Sequence, residues 1–124
     1  MNSKTILVVE DEPFILNNIC TILEISGYSC SKAGNGQEAL EVLQHQIPQL
    51  ILCDVMMPVM NGFELLEHLQ SSENLSSIPF CFLSARADVI DIDNGLSIGA
   101  KAYITKPFLA KDLLQTVQKL LGNI

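Results

Sequence analysis

The most informative stretch of the chain is Leu50-Ile51-Leu52-Cys53-Asp54-Val55-Met56-Met57-Pro58. Leu50 to Cys53 is apolar at every position, too short for a helix and without the alternation of a half-exposed strand. It therefore predicts a strand covered on both faces. The run ends at the carboxylate of Asp54, and Pro58 and Asn61-Gly62 are turn formers that make the next segment a loop.

The same pattern recurs on either side. Thr5 to Val9 is a second fully apolar run, ending at Glu10-Asp11; Pro79 to Leu83 is a third, ending at Ser84; Ala102 to Ile104 is a shorter one ahead of Lys106-Pro107. Tyr28 to Ala33 alternates polar and apolar residues, as expected of a half-exposed strand near a sheet edge. Helical spacing fills the intervals. Glu12-Pro13 opens a helix with Ile15, Ile19, Ile22 and Leu23 on one stripe, closed by Gly27. After an Asn35-Gly36 turn, Gln37 to His45 carries Ala39, Leu40 and Leu43, with Pro48 barring continuation. Phe63, Leu66 and Leu69 mark a third helix, and Asp88 to Ile98 a fourth of lower propensity, closed by Gly99. Leu113, Leu114, Val117, Leu120 and Leu121 mark a fifth, whose start at Leu109-Ala110 lacks a capping side chain, at a cost of about 1 kcal/mol. Five strand-helix units in strict alternation, joined by connections too long for hairpins, predict a three-layer, doubly wound α/β domain with a parallel sheet.

Composition bounds what such a domain can do. With 124 residues, 48% hydrophobic and 17% charged, one folded domain over residues 1–124 is expected. A formal net charge of -7 disfavours direct binding to nucleic acid or to an anionic membrane and favours a cationic or metal-bearing partner. Cys20, Cys30, Cys53 and Cys81 are widely spaced, form no C-x-x-C pair and read as small hydrophobes, which suggests a reducing, cytoplasmic setting. No run of about 18 apolar residues and no signal-peptide core is seen, so no membrane insertion is expected.

Ligand sites of open parallel sheets lie beyond the carboxyl ends of the strands. The residues there are Glu10, Asp11, Asp54, Ser84 and Lys106. Three carboxylates brought together repel one another unless a cation holds them, and a few carboxylates with water suit Mg²⁺. Lys106 adds a positive charge, so the site can accept an anion such as a phosphoryl group.

These residues carry a resemblance over essentially the whole chain. Val8-Val9-Glu10-Asp11-Glu12, Asp54 through Gly62, Ser84-Ala85 and Tyr103-Ile104-Thr105-Lys106-Pro107-Phe108 stand in the order and spacing of the receiver domains of two-component response regulators. The chain resembles that family. The resemblance implies a five-stranded parallel sheet of order 2-1-3-4-5, the flavodoxin-like arrangement, and a phosphorylation-dependent signalling switch rather than an enzyme with a separate substrate. It implies that Asp54 takes a phosphoryl group from a phosphohistidine of a sensor histidine kinase or a histidine phosphotransfer protein. Mg²⁺, or Mn²⁺ in its place, would be held by Glu10, Asp11, Asp54 and the backbone carbonyl of Met56. Lys106 and Ser84 would contact the phosphoryl oxygens, and Tyr103 would report the change on the face made by the fourth helix, fifth strand and fifth helix. The Lys106-Pro107 peptide is expected to be cis. The added charge, roughly -1.5 to -2 on a phosphomonoester scale, is enough to bias a two-state domain.

Glu10 and Ser84 depart from the family's commoner Asp and Thr, which leaves open whether Glu10 meets the metal directly or through water. Structural readings also stand beside the functional ones. Asp54 could bond its own backbone, Glu10 and Asp11 could favour a helix N-terminus, Ser84 could cap the fourth helix, and Tyr103 could simply pack. His45 and His68 read as solvated surface, and the side chains of Met56, Met57 and Met60 as loop packing. An aspartyl phosphatase would carry an acid where Met56 stands, and a nucleotide-binding module would not place Glu10-Asp11 after its first strand. A docking-only receiver would have lost an acid or the lysine. Exposed Asn17 and Asn18 on the first helix are expected to set partner choice. The output, whether a partner or a further domain, stays open, as does the choice between a monomer and a phosphorylation-linked dimer.

Overall fold

The structure, a computed structural model, describes residues 4–85 and 89–122. Among the described residues ten elements alternate without exception: β1 (Thr5–Val9), α1 (Pro13–Ile25), β2 (Ser29–Ala33), α2 (Gly36–Leu43), β3 (Leu50–Asp54), α3 (Gly62–Gln70), β4 (Phe80–Ser84), α4 (Val89–Ile98), β5 (Ala102–Thr105) and α5 (Ala110–Leu120). The strands form one parallel sheet in the order β2-β1-β3-β4-β5. β2 lies at one edge, which explains its alternating pattern. The expected beginning of the fourth helix at Asp88 lies outside the described residues.

The period-two geometry of strands divides the apolar residues between two cores. Leu7, Val9, Ile51, Cys53, Phe80 and Phe82 face α2, α3 and α4. Ile6, Val8, Leu50, Leu52, Cys81 and Leu83 face the opposite side, against Ile19, Cys20 and Leu23 of α1 and Leu113 and Val117 of α5. All five residues of β3 and of β4 are buried, as the unbroken apolar runs predict.

Three local expectations are corrected. Asn35-Gly36 and Asn61-Gly62 are helix starts rather than free turns: each Asn side chain accepts a bond from a backbone N–H three residues on, Glu38 at 2.9 Å and Glu64 at 2.8 Å. Glu64 also reaches back to the Asn61 N–H at 2.9 Å, completing a capping box. α2 ends at Leu43, with Gln44 as its cap, so His45 lies beyond the helix. Of the loop methionines, Met57 and Met60 pack on the core, but Met56 is 56% exposed. The Leu109 start of α5 makes no side-chain cap bond, as expected.

Candidate functional site

The order β2-β1-β3 places the chain's change of direction between β1 and β3, and the crevice at their carboxyl ends is where a doubly wound sheet binds ligands. Asp54 is the last residue of β3, held in register opposite Leu83 of β4. Glu10 directly follows β1, with its N–H bonded to the Ala33 carbonyl at 3.0 Å. The Lys106 N–H donates to the Ser84 carbonyl at 2.8 Å, which extends the β4–β5 ladder by one bond and anchors the lysine backbone above the sheet end. The Lys106–Pro107 peptide is cis, as anticipated.

The side chains converge. Lys106 Nζ lies 2.5 Å from Glu10 Oε1 and 3.2 Å from Asp54 Oδ2. The other Glu10 oxygen accepts the Glu12 N–H at 3.1 Å, and Asp54 Oδ1 faces the Met56 N–H at 3.4 Å. Burial holds the Glu10 carboxyl above the usual carboxylate range; the Lys106 hydrogen bond opposes this, and the nearby charge of Asp54 adds to it. Burial alone would lower the Lys106 ammonium, but Glu10 and Asp54 outweigh it and raise its pKa, so the lysine is firmly cationic.

Asp11 completes the cluster from the solvent side. One carboxylate oxygen from each of Glu10, Asp11 and Asp54 lies within 4.8 Å of the others. Glu10 and Asp54 are buried and Asp11 is exposed, so the group opens outward. The donor set is all oxygen, with more negative charge than the single lysine offsets. This fits a small hard cation such as Mg²⁺. Glu10 is the donor most occupied, since Lys106 and the Glu12 N–H each engage one of its oxygens.

Ser84 is buried at the end of β4. Tyr103 is half-buried on β5, with its ring centroid 5.8 Å from that of Phe82. The structure thus brings together Glu10, Asp11, Asp54 and Lys106 by direct geometry, and sets Ser84 on the strand end beside them. Sequence alone missed two features. Gly62 sits under the site: a Cβ there would collide with the Asp54 carbonyl oxygen and come within 2.9 Å of the Phe82 ring. A groove of about 450 Å³ lined by Ile15, Asn18, Ala85, Lys106, Pro107 and Phe108 flanks the lysine. The tight fit at Gly62 has a local signal in its Asn-Gly-x-Glu context; the groove joins α1 to the β5–α5 connection and has none.

Comparison with known proteins agrees with this geometry. Residues 6–118 match the family model described as the response regulator receiver domain. The phosphate regulon transcriptional regulatory protein PhoB of Pseudomonas aeruginosa is 40% identical over 121 residues, covering 98% of this chain and 53% of the relative. The chain thus spans about half the length of such curated relatives. Among solved structures, the chemotaxis protein CheY4 of Vibrio cholerae superposes with a TM-score of 0.91 at 29% identity, covering 96% of this chain and 99% of that one. The receiver domain of a Pseudomonas aeruginosa sensor histidine kinase, solved with a magnesium ion coordinated in its active site cleft, has a TM-score of 0.90 at 30% identity, with coverage of 98% and 100%. Together with the five-stranded 2-1-3-4-5 sheet and the acidic cluster at its carboxyl end, these matches show that the chain belongs to the response regulator receiver domain family.

Proposed function

We propose that Asp54 is the phosphoacceptor of a switch spanning residues 1–124, and that it takes its phosphoryl group from a phosphohistidine on a sensor kinase or phosphotransfer protein. The observation that carries this reading is the placement of Lys106 Nζ between Glu10 and Asp54, with Asp11 beside them. Attack by an Asp54 oxygen forms the O–P bond while the P–N bond of the donor breaks and its electron pair returns to the imidazole. Lys106 holds positive charge beside the accepting oxygen, where charge must be offset as the phosphoryl group passes. Asp11, Asp54 and the Met56 carbonyl would hold Mg²⁺, which would supply further electrostatic stabilisation of the phosphoryl charge when bound. Glu10 serves through water and as the anchor of Lys106, a role its engaged oxygens favour.

Ser84 donates its hydroxyl to a phosphoryl oxygen, and Tyr103 responds by shifting its ring on the α4-β5-α5 face. Gly95 of α4 leaves space for that ring: a Cβ there would lie 3.3 Å from it. The domain acts on no separate substrate and catalyses only its own phosphorylation and dephosphorylation. The donor approaches over the groove beside Lys106, where Asn18 is exposed; Asn17, also exposed, is tied to Lys32 at 3.0 Å. We assign partner choice to this face of α1, and swapping both asparagines should change kinase preference in a phosphotransfer assay. Among the described residues no helix is long and apolar enough to cross a membrane, and we place the domain in the cytoplasm.

The test is intact mass after incubation with a small acyl phosphate, with and without Mg²⁺. A gain of one hydroxylamine-labile phosphoryl group, dependent on Mg²⁺ and absent in Asp54→Asn, is expected. An equal gain in the variant would move the acceptor elsewhere.

A further inference from the structure

The proposed switch uses none of the four cysteines, all of which are free thiols. Cys53 and Cys81 occupy neighbouring strands, but their register pairs Cys53 with Phe82 and Leu52 with Cys81, and they belong to opposite cores. Side chains on opposite faces of a sheet cannot be bridged without moving the backbone. Cys20 and Cys30 stand differently. Cys20 on α1 is buried in the core between the sheet and α1 and α5, and Cys30 on β2 packs against the same core. Cys30 Sγ donates to the Cys20 carbonyl oxygen at 3.8 Å, which brings its sulfur against the residue that bears the other thiol.

We propose that Cys20 and Cys30 form a reversible intramolecular disulfide that staples α1 to the edge strand β2. Access and chemistry divide the work between the sulfurs. Cys30 is partly exposed on an edge strand, whereas Cys20 is sealed beneath it. The neighbouring Cys30 thiol and the charge of Lys32 lower the Cys20 pKa, whereas Cys20 and burial raise that of Cys30, so Cys20 is the better thiolate of the pair and Cys30 the more accessible sulfur. Lys32 is itself held over α1 by Asn17 at 3.0 Å. The connection between the two elements is residues 26–28, with Gly27 at φ 98°, so the bridge closes a unit already folded back on itself.

The oxidant class is a hydroperoxide, small enough to reach a partly buried sulfur. Cys30 sulfur gives an electron pair to the near peroxide oxygen as its own S–H proton passes to the departing oxygen; the O–O bond breaks, one water leaves, and a sulfenic acid remains. Cys20 thiolate then attacks that sulfur, the S–S bond forms, the S–O bond breaks, and the hydroxide leaves as a second water. Two thiols lose two electrons and two protons in all, and one peroxide is reduced to two waters. A dithiol reductant reverses the bridge by exchange. In a reducing compartment the thiol form predominates and the disulfide is a transient, oxidant-dependent state.

The experiment treats the folded chain with graded hydrogen peroxide, then quenches, unfolds and alkylates it, and maps the thiols by mass spectrometry. The expected result is loss of two of the four alkylatable thiols, mapped to Cys20 and Cys30 within one chain and restored by dithiothreitol. The oxidised form should unfold at a higher temperature than the reduced form. Cys30→Ser, with native circular dichroism, should keep its remaining thiols free of any intramolecular bridge. Retention of all four thiols overturns the proposal. So does a bridge between chains, loss mapped to Cys53 or Cys81, sulfinic acid in place of the bridge, or bridging only after unfolding; the mapping of the parent chain decides even if the variant fails to fold.

Discussion

Val59 has a backbone and a side chain that disagree. Its φ is 71°, in the left-handed region, and the Met60 N–H donates to the Pro58 carbonyl at 2.7 Å, closing a three-residue turn around it. A β-branched residue in that region costs about 1–2 kcal/mol, and with its side chain 80% exposed there is little packing to offset the strain. Glycine would remove the strain at a smaller entropic cost. Val59→Gly should therefore raise stability by about 1 kcal/mol in urea denaturation. Nothing in the local sequence announces this, because valine has no preference for positive φ; the conformation is imposed by the path from the end of β3 to the start of α3. Leu109 is the opposite case. Its missing cap is legible in the sequence because capping depends on one side chain and the N–H groups just after it.

Among the secondary-structure elements, the β3–α3 connection shows how a helix start can position chemistry. Asn61 and Glu64 bond each other's backbone N–H groups, and Gly62 donates to the Val55 carbonyl at 2.9 Å. The first turn of α3 is thereby pressed onto the strand end that bears Asp54. Asn61→Ala should lose about 1 kcal/mol of stability, the usual worth of a cap, with little effect on phosphoryl uptake. Gly62→Ala should lose about 1–3 kcal/mol by overpacking and should also slow uptake, because the added Cβ displaces the Asp54 carbonyl. Urea denaturation and single-turnover phosphorylation of both variants check this ordering; equal rates would separate Gly62 from the site. The Asn-x-x-Glu spacing was present in the sequence, but Asn-Gly is also a strong turn signal. The tertiary contact of Gly62 with Asp54 and Phe82 is what favours the helix start.

Across the domain the electrostatics are lopsided. A chain of net charge -7 gathers Glu10, Asp11 and Asp54 at one sheet end, with Lys106 engaged by two of them. The clustered negative charge opposes folding until a cation offsets it, so Mg²⁺ should raise the unfolding temperature. At a concentration about a hundredfold above Kd the gain is about 2.7 kcal/mol, or on the order of 10 °C for a domain of this size. Asp11→Asn should abolish most of that shift while leaving the metal-free protein folded, as measured by differential scanning calorimetry. A variant that keeps the full shift would remove Asp11 from the proposed metal site.

Local pattern was enough to dictate the alternating order of strands and helices, the buried character of β1, β3 and β4, and the identity of the polar residues at their ends. Those features follow from hydrophobic periodicity and from where each apolar run stops, both of which can be read along a single segment of chain. It took the assembled fold to bring Lys106, 96 residues away in the chain, onto one oxygen of Glu10, whose other oxygen the Glu12 N–H holds locally. The same assembly set Cys20 and Cys30 against one core while sending Cys53 and Cys81 to opposite ones. These outcomes depend on strand order and on which face of the sheet each helix covers, and neither is encoded in the spacing of residues along any one element.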